Sequence, residues 1–198
     1  MKVVLSILLI SCFMPILVLA SDATSAPEQF EYRIVATNKT STAQKEMNEA
    51  SDAGFRFEGV MGGSTAFGGK EVVIAMVKPK SNESKPRYEY KLLATQKTST
   101  MQKELQEAGD AGFEYVDQSV FESMFGGKEV CVILERDRES DAPTLYEYKL
   151  LATNKTSTMQ KEIQEAGDAG FAFVGITVSS TTFGGNEIVT ILRKKKSE

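Results

Sequence analysis

The sequence predicts an α+β fold of three tandem β-α-β-β modules, each a three-stranded sheet with one helix on one face. Two observations lead there. The chain aligns with itself without gaps at an offset of 58 residues, so that Tyr32, Tyr90 and Tyr148 coincide, as do Gly54, Gly112 and Gly170. Within each copy the spacing of apolar residues shifts from a period of two to a helical period and back to two. The copies occupy residues 30–79, 87–136 and 145–194. Residues 80–86 and 137–144 join them, in polar, Ser- and Pro-bearing stretches of linker character, and 195–198 form a tail.

Each copy opens with a strand, FEYRIVAT or YEYKLLAT. Alternation places Tyr88, Tyr90, Leu92 and Ala94 on one face and Glu89, Lys91 and Thr95 on the other, with Leu93 interrupting the polar face. A helix follows over KTSTAQKE at 39–46 and KTSTMQKE at 97–104 and 155–162. Ser41, Ser99 and Ser157 are read as N-caps, with Gln44, Gln102 and Gln160 three residues on completing capping boxes. Met101, Leu105 and Ala108 form a narrow apolar stripe at i, i+4 and i+7. Gly112 and its equivalents should end the helix, because glycine accepts the left-handed conformation required there.

The second strand is FRFEGVMG, FEYVDQSV or FAFVGITV. A Phe-Gly-Gly turn then leads into a third strand, KEVCVILE in copy 2, which is apolar on both faces. A strand of that kind belongs in the middle of its sheet. A right-handed crossover makes strands one and two parallel, with the third between them. One helix covers one sheet face only, and a module of this size is marginal alone. The bare faces are therefore expected to pack together, closing about a pseudo-threefold axis, or to associate as an oligomer.

Residues 1–20 read as a signal peptide: Lys2, the apolar run VVLSILLISCFMPILVLA, then the polar segment 21–29. A competing reading makes Cys12 a lipidated residue, but FMPILVLA would then trail the anchor. The expected location is secreted or periplasmic, with no membrane association after cleavage. That leaves Cys131 as the one cysteine, so no disulfide framework is expected. Val73 and Val189 stand at its equivalents, which marks it as a small buried hydrophobe.

A Y-x-Y-K strand, a helix ending in A-x-G plus an aromatic (Phe55, Phe113, Phe171), and a closing apolar strand resemble small bacterial β-α-β-β domains of unknown function. The resemblance covers about three quarters of the chain. It implies the fold and a bacterial source, and lends no activity. In those domains the aromatic after Gly is often Trp.

The chain has no His, which removes the commonest general base and zinc ligand. No nucleophile–base pair is visible, so an enzyme is not expected, nor is a cofactor or metal. The net charge of −4, with basic residues clustered only at 193–196, argues against nucleic acid. Glu46, Glu49, Asp52 and their equivalents line a helix face, read as solvated rather than as a calcium site. FGGK lacks the spacing of a phosphate loop. Asn38, Asn82 and Asn154 fit the N-glycosylation pattern, silent in a bacterium.

The candidate ligand residues are Lys39, Ser41, Lys97, Ser99, Lys155 and Ser157. A cation and hydroxyls at a helix N-terminus could hold an anion. The reading preferred over it is a non-enzymatic binding or structural interaction protein, with a protein partner or self-association through apolar sheet faces.

Overall fold

The computed structural model describes residues 27–65, 69–80, 87–122, 128–180 and 186–197. The leader with its cleavage site and Cys12, Asn82, and the Phe-Gly-Gly turns apart from Gly69 lie outside them.

The elements are β1 (Phe30–Thr37), α1 (Thr40–Asp52), β2 (Arg56–Thr65), β3 (Gly69–Pro79), β4 (Tyr88–Thr95), α2 (Thr98–Asp110), β5 (Glu114–Glu122), β6 (Lys128–Asp137), β7 (Tyr146–Thr153), α3 (Thr156–Asp168), β8 (Ala172–Ser180) and β9 (Asn186–Lys195). They form three antiparallel three-stranded sheets, ordered β1-β3-β2, β4-β6-β5 and β7-β9-β8. The strand that reads as apolar on both faces is central in every sheet, as expected.

Each helix ends as the glycine pattern requires. Gly54, Gly112 and Gly170 have φ of 87°, 80° and 86°. The N–H of the following Phe reaches back to the helix, Phe55 to the Ala50 carbonyl at 3.0 Å and Phe113 to that of Ala108 at 2.9 Å, a closing bond of the Schellman type. The Phe then lies under a cation from the third strand: Lys78 over Phe55 at 4.7 Å, Arg136 over Phe113 at 4.6 Å and Lys194 over Phe171 at 4.5 Å.

The helix start differs from expectation. The N-cap residues are Lys39, Lys97 and Lys155, in extended conformation with no side-chain capping bond. Ser41, Ser99 and Ser157 lie one residue inside the first turn and are exposed. The capping boxes are thus corrected: the glutamines of the first two copies are engaged elsewhere. Thr37, Thr95 and Thr153 fix the entry instead, each accepting at Oγ1 from the N–H of the N-cap lysine at 3.1–3.2 Å.

The modules stack in sequence order. On one face of the first sheet, Val35, Val72, Ile74 and Met76 pack with Ala43, Met47 and Ala50 of α1. The same cluster takes in Tyr90, Leu92, Cys131 and Ile133 from the second module. These four residues occupy the sheet face that α2 leaves bare. Leu93, Val130, Val132 and Leu134, on the opposite face, join Met101, Leu105 and Ala108 of α2 in a second cluster, which also holds Tyr146, Tyr148 and Ile191 of the third module. Leu93, out of place in a simple alternation, is the contact of its strand with its own helix.

The face predicted to need company is therefore covered by the preceding module. Among the described residues α1 packs on β4 and α2 on β7, while no comparable contact joins α3 to β1 or β8 to β2. The stack is open at both ends rather than closed about a pseudo-threefold axis. Among the described residues no helix is long and apolar enough to cross a membrane.

Candidate interaction surface

A first strand at a sheet edge carries backbone N–H and C=O groups that its own sheet does not use. In β4 and β7 these groups are met by a polar stripe on the preceding helix. Gln44, Asn48 and Ser51 lie at i, i+4 and i+7 on α1, directly beside the buried stripe Ala43, Met47 and Ala50. Gln44 Oε1 accepts from the Leu92 N–H at 2.9 Å, and Asn48 Oδ1 from the Tyr90 N–H at 2.9 Å. Asn48 Nδ2 donates to the Tyr90 carbonyl at 2.9 Å, and Ser51 Oγ to that of Tyr88 at 2.6 Å.

The second interface repeats this 58 residues on. Gln102 Oε1 accepts from Leu150 N–H at 2.7 Å and Gln106 Oε1 from Tyr148 N–H at 3.1 Å. Their amide nitrogens donate to the carbonyls of Tyr148 and Tyr146. This is what the glutamine of the repeated phrase does: it seals the edge of the next sheet. Sequence reasoning missed it because Ser-x-x-Gln also spells a capping box.

The tyrosine in the middle of the first strand is the anchor. A bulge in β2, between Phe57 and Gly59, accompanies a free N–H on its outer edge. Phe57 N–H donates to the Tyr90 hydroxyl at 2.8 Å, and that hydroxyl donates to Glu135 Oε2 at 2.7 Å. Tyr115, at the equivalent bulge, donates through its N–H to the Tyr148 hydroxyl at 2.6 Å. Tyr90 and Tyr148 are 1% and 3% exposed.

Ion pairs rim both interfaces. Arg56 meets the buried Glu135 at 2.9 Å, and at the equivalent positions the signs are exchanged, with Arg193 meeting Glu114 at 2.6 Å. Arg138 pairs with Asp52 and Lys196 with Asp110. Asp52 and Asp110, read from sequence as solvated carboxylates, thus help to hold the next module.

Burial raises the phenols of Tyr90, Tyr115 and Tyr148 above the ordinary 10.0, Tyr148 to about 12, and the Cys131 thiol from 9.0 to about 12. The backbone N–H on the Tyr90 and Tyr148 hydroxyls favours the phenolate, but desolvation outweighs it. A folded-state value above the unfolded one means that the unfolded chain loses its proton first. Stability contributed by these groups is therefore complete below about pH 9 and declines as pH rises towards 12. Chemical denaturation at pH 7, 9.5 and 11 should show a falling midpoint; a flat profile would contradict this burial.

Among the described residues, the two ends of the stack present the same surfaces without a docked module. Tyr32, the equivalent of Tyr90 and Tyr148, is 66% exposed. Phe30 and Ile34 flank it on β1, and Met61 is exposed on β2. At the other end Phe173, Ile176 and Val178 are exposed on β8, and Gln160, Gln164 and Gly167 of α3 are exposed where their equivalents dock.

The candidate anion residues are distributed over the three helix starts. Lys39, Ser41, Lys97, Ser99, Lys155 and Ser157 are all exposed, one Lys–Ser pair at the start of each helix. A cleft of about 280 Å³ at the seam between modules is lined by Arg56, Tyr88, Glu114, Glu135, Asp137 and Tyr146 among others. Its charged groups already pair, Arg56 with Glu135, Glu114 with Tyr146 and Arg193, and Asp137 with Arg87. Among the described residues no group of acids, cysteine or histidine is arranged to hold a metal. No family model matches the chain, and no curated protein or solved structure is significantly similar to it.

Proposed function

We propose that this is an exported, non-enzymatic interaction protein that binds protein through the apolar faces at the two ends of its stack. One observation carries the reading. Position 32 holds the residue that is buried at 90 and 148, yet leaves it 66% exposed, with Phe30 and Ile34 beside it. A contiguous apolar patch on a sheet with an open edge is an aggregation liability unless it is used. The secretory pattern of residues 1–20 and the likeness to small bacterial β-α-β-β domains of unknown function support the envelope or the exterior as the setting.

A photo-crosslinking residue at position 32, and separately at 173, tests this in the native envelope. Discrete protein adducts from these positions are expected, with none from position 45 on the exposed face of α1. Adducts absent from 32 and 173, or equal at 45, would overturn the reading.

A further inference from the structure

We propose that the protein self-associates head to tail, the α3/β8 end of one copy docking on the β1/β3 face of a second copy in the register of the two internal interfaces. This rests on the interaction reading above and names the partner: another copy of this chain.

The two free ends are complementary halves of one interface that the chain already forms twice. The donor half is a helix with a polar stripe and a bulged second strand. The acceptor half is a first strand with a tyrosine anchor and a bare sheet face. On the free acceptor end Tyr32 stands for Tyr90, Ile34 for Leu92, and Val73 and Ala75 for Cys131 and Ile133. On the free donor end Gln160 and Gln164 stand for Gln102 and Gln106, and the Phe173 N–H for that of Tyr115. Gly167 stands for Gly109, and nothing lies within 4 Å of its Cβ position, whereas at Gly109 a Cβ would clash with the Tyr146 carbonyl. The space a docked strand fills in the second module is vacant in the third.

Pairs that meet across the internal interfaces vary together at the free ends. The Arg56–Glu135 pair becomes Glu114–Arg193, and its next equivalent is Ala172 with Val77. Both charges are gone, so neither end would bury a charge without a partner. Gly62 donates through its N–H to Ser119 Oγ at 2.7 Å in the first interface. The corresponding residues at the free ends are Val178 and Met61, both apolar and both exposed. Arg138–Asp52 and Lys196–Asp110 continue as Lys80 and Asp168, again opposite in sign. Unrelated surfaces have no reason to match in this way.

Among the described residues, seven of the eight large exposed hydrophobic side chains fall on these two faces, Leu145 being the other. Joining different surfaces of identical copies makes the contact heterologous, so it propagates as an open filament or closes as a ring.

The test is sedimentation velocity on the chain lacking residues 1–20 across a hundredfold concentration range, with two single variants and their mixture. Val77→Glu copies the acid at Glu135, and Ala172→Arg copies the cation at Arg56. The original chain should associate with concentration, as a ladder or as one closed species. Val77→Glu alone should weaken association at least tenfold. An equimolar mixture of the two variants should restore it. The guanidinium introduced in one copy then meets the carboxylate introduced in the other, and in the opposite contact Ala172 still meets Val77. Circular dichroism of each variant controls for folding.

An original chain that stays monomeric throughout overturns the proposal, as does association indifferent to Val77→Glu or not restored by mixing. A crosslink from position 32 to residues 1–26 of the same chain in the uncut protein also overturns it. If the purified chain is monomeric yet position 32 captures a different protein in the envelope, self-association falls while the interaction reading stands. If neither occurs, both fall.

Discussion

Tyr90→Ala should destabilise the protein by about 3–5 kcal/mol, while Tyr32→Ala, at the equivalent position, should change stability by no more than about 0.5 kcal/mol. The three tyrosines share one strand position in similar sequence contexts, FEYRIVAT or YEYKLLAT, and differ most in what lies against them. Tyr90 is buried in the first cluster, with Ala43, Met47 and Ala50 of α1 and residues of both the first and second sheets. Truncation removes that packing, strands the Phe57 N–H and takes one hydrogen bond from the Glu135 carboxylate, which keeps its ion pair with Arg56. Tyr90→Phe separates the contributions: it keeps the ring and should cost about 1–3 kcal/mol, chiefly for the unsatisfied Phe57 N–H. Tyr148→Ala should resemble Tyr90→Ala, since its hydroxyl accepts from Tyr115 N–H and donates to the Phe113 carbonyl. Urea denaturation of the four variants is the measurement. Equal losses at 32 and 90 would mean that the strand, not the docking, uses the tyrosine.

Gly109→Val and Gly167→Val form the second pair, the same helix position in successive copies. A Cβ at 109 would clash with the Tyr146 carbonyl oxygen and lie 2.9 Å from the Tyr148 ring. Both belong to the next module's edge strand, and the oxygen is backbone that cannot step aside. Gly109→Val must therefore lift β7 from α2, breaking the Gln102 and Gln106 bonds as it does so. A loss of about 3 kcal/mol follows, at the upper end of what overpacking typically costs, because backbone must move. Gly167 faces open space, and replacing a helix-interior glycine there should be neutral or slightly stabilising, by up to about 0.5 kcal/mol. The first module shows the limit of this reasoning. Ser51 occupies the position in α1 and is accommodated because its hydroxyl bonds the Tyr88 carbonyl.

The module itself was legible in the sequence because each of its rules is local. Gly54 and its equivalents stop the helix, Met101, Leu105 and Ala108 face the core, and KEVCVILE reads as central because it is apolar on both sides. Cys131 likewise is a buried small side chain, as Val73 and Val189 implied. The docking was not legible, although its need was. Gln44 and Gln102 carry no mark that distinguishes a cap from an edge-sealing amide; the difference depends on a strand some 46–48 residues away. Leu93 looked like an exception only while the helix and the neighbouring module had not been assigned to opposite faces. The open ends escaped notice for a related reason. Tyr32 and Tyr90 are identical as letters, and repetition hides the fact that, among the described residues, the first copy's Tyr32 is exposed where Tyr90 and Tyr148 are buried.

The central claim is that each module's edge strand and bare face are covered by the module before it. Amide hydrogen exchange at single-residue resolution, under dilute conditions, tests it most directly. The N–H groups of Tyr90, Leu92, Tyr148 and Leu150 point out of their own sheets and are protected only through Asn48, Gln44, Gln106 and Gln102. They should exchange far more slowly than those of Tyr32 and Ile34. Equally fast exchange at all six positions would show that the modules do not dock, and would contradict the account.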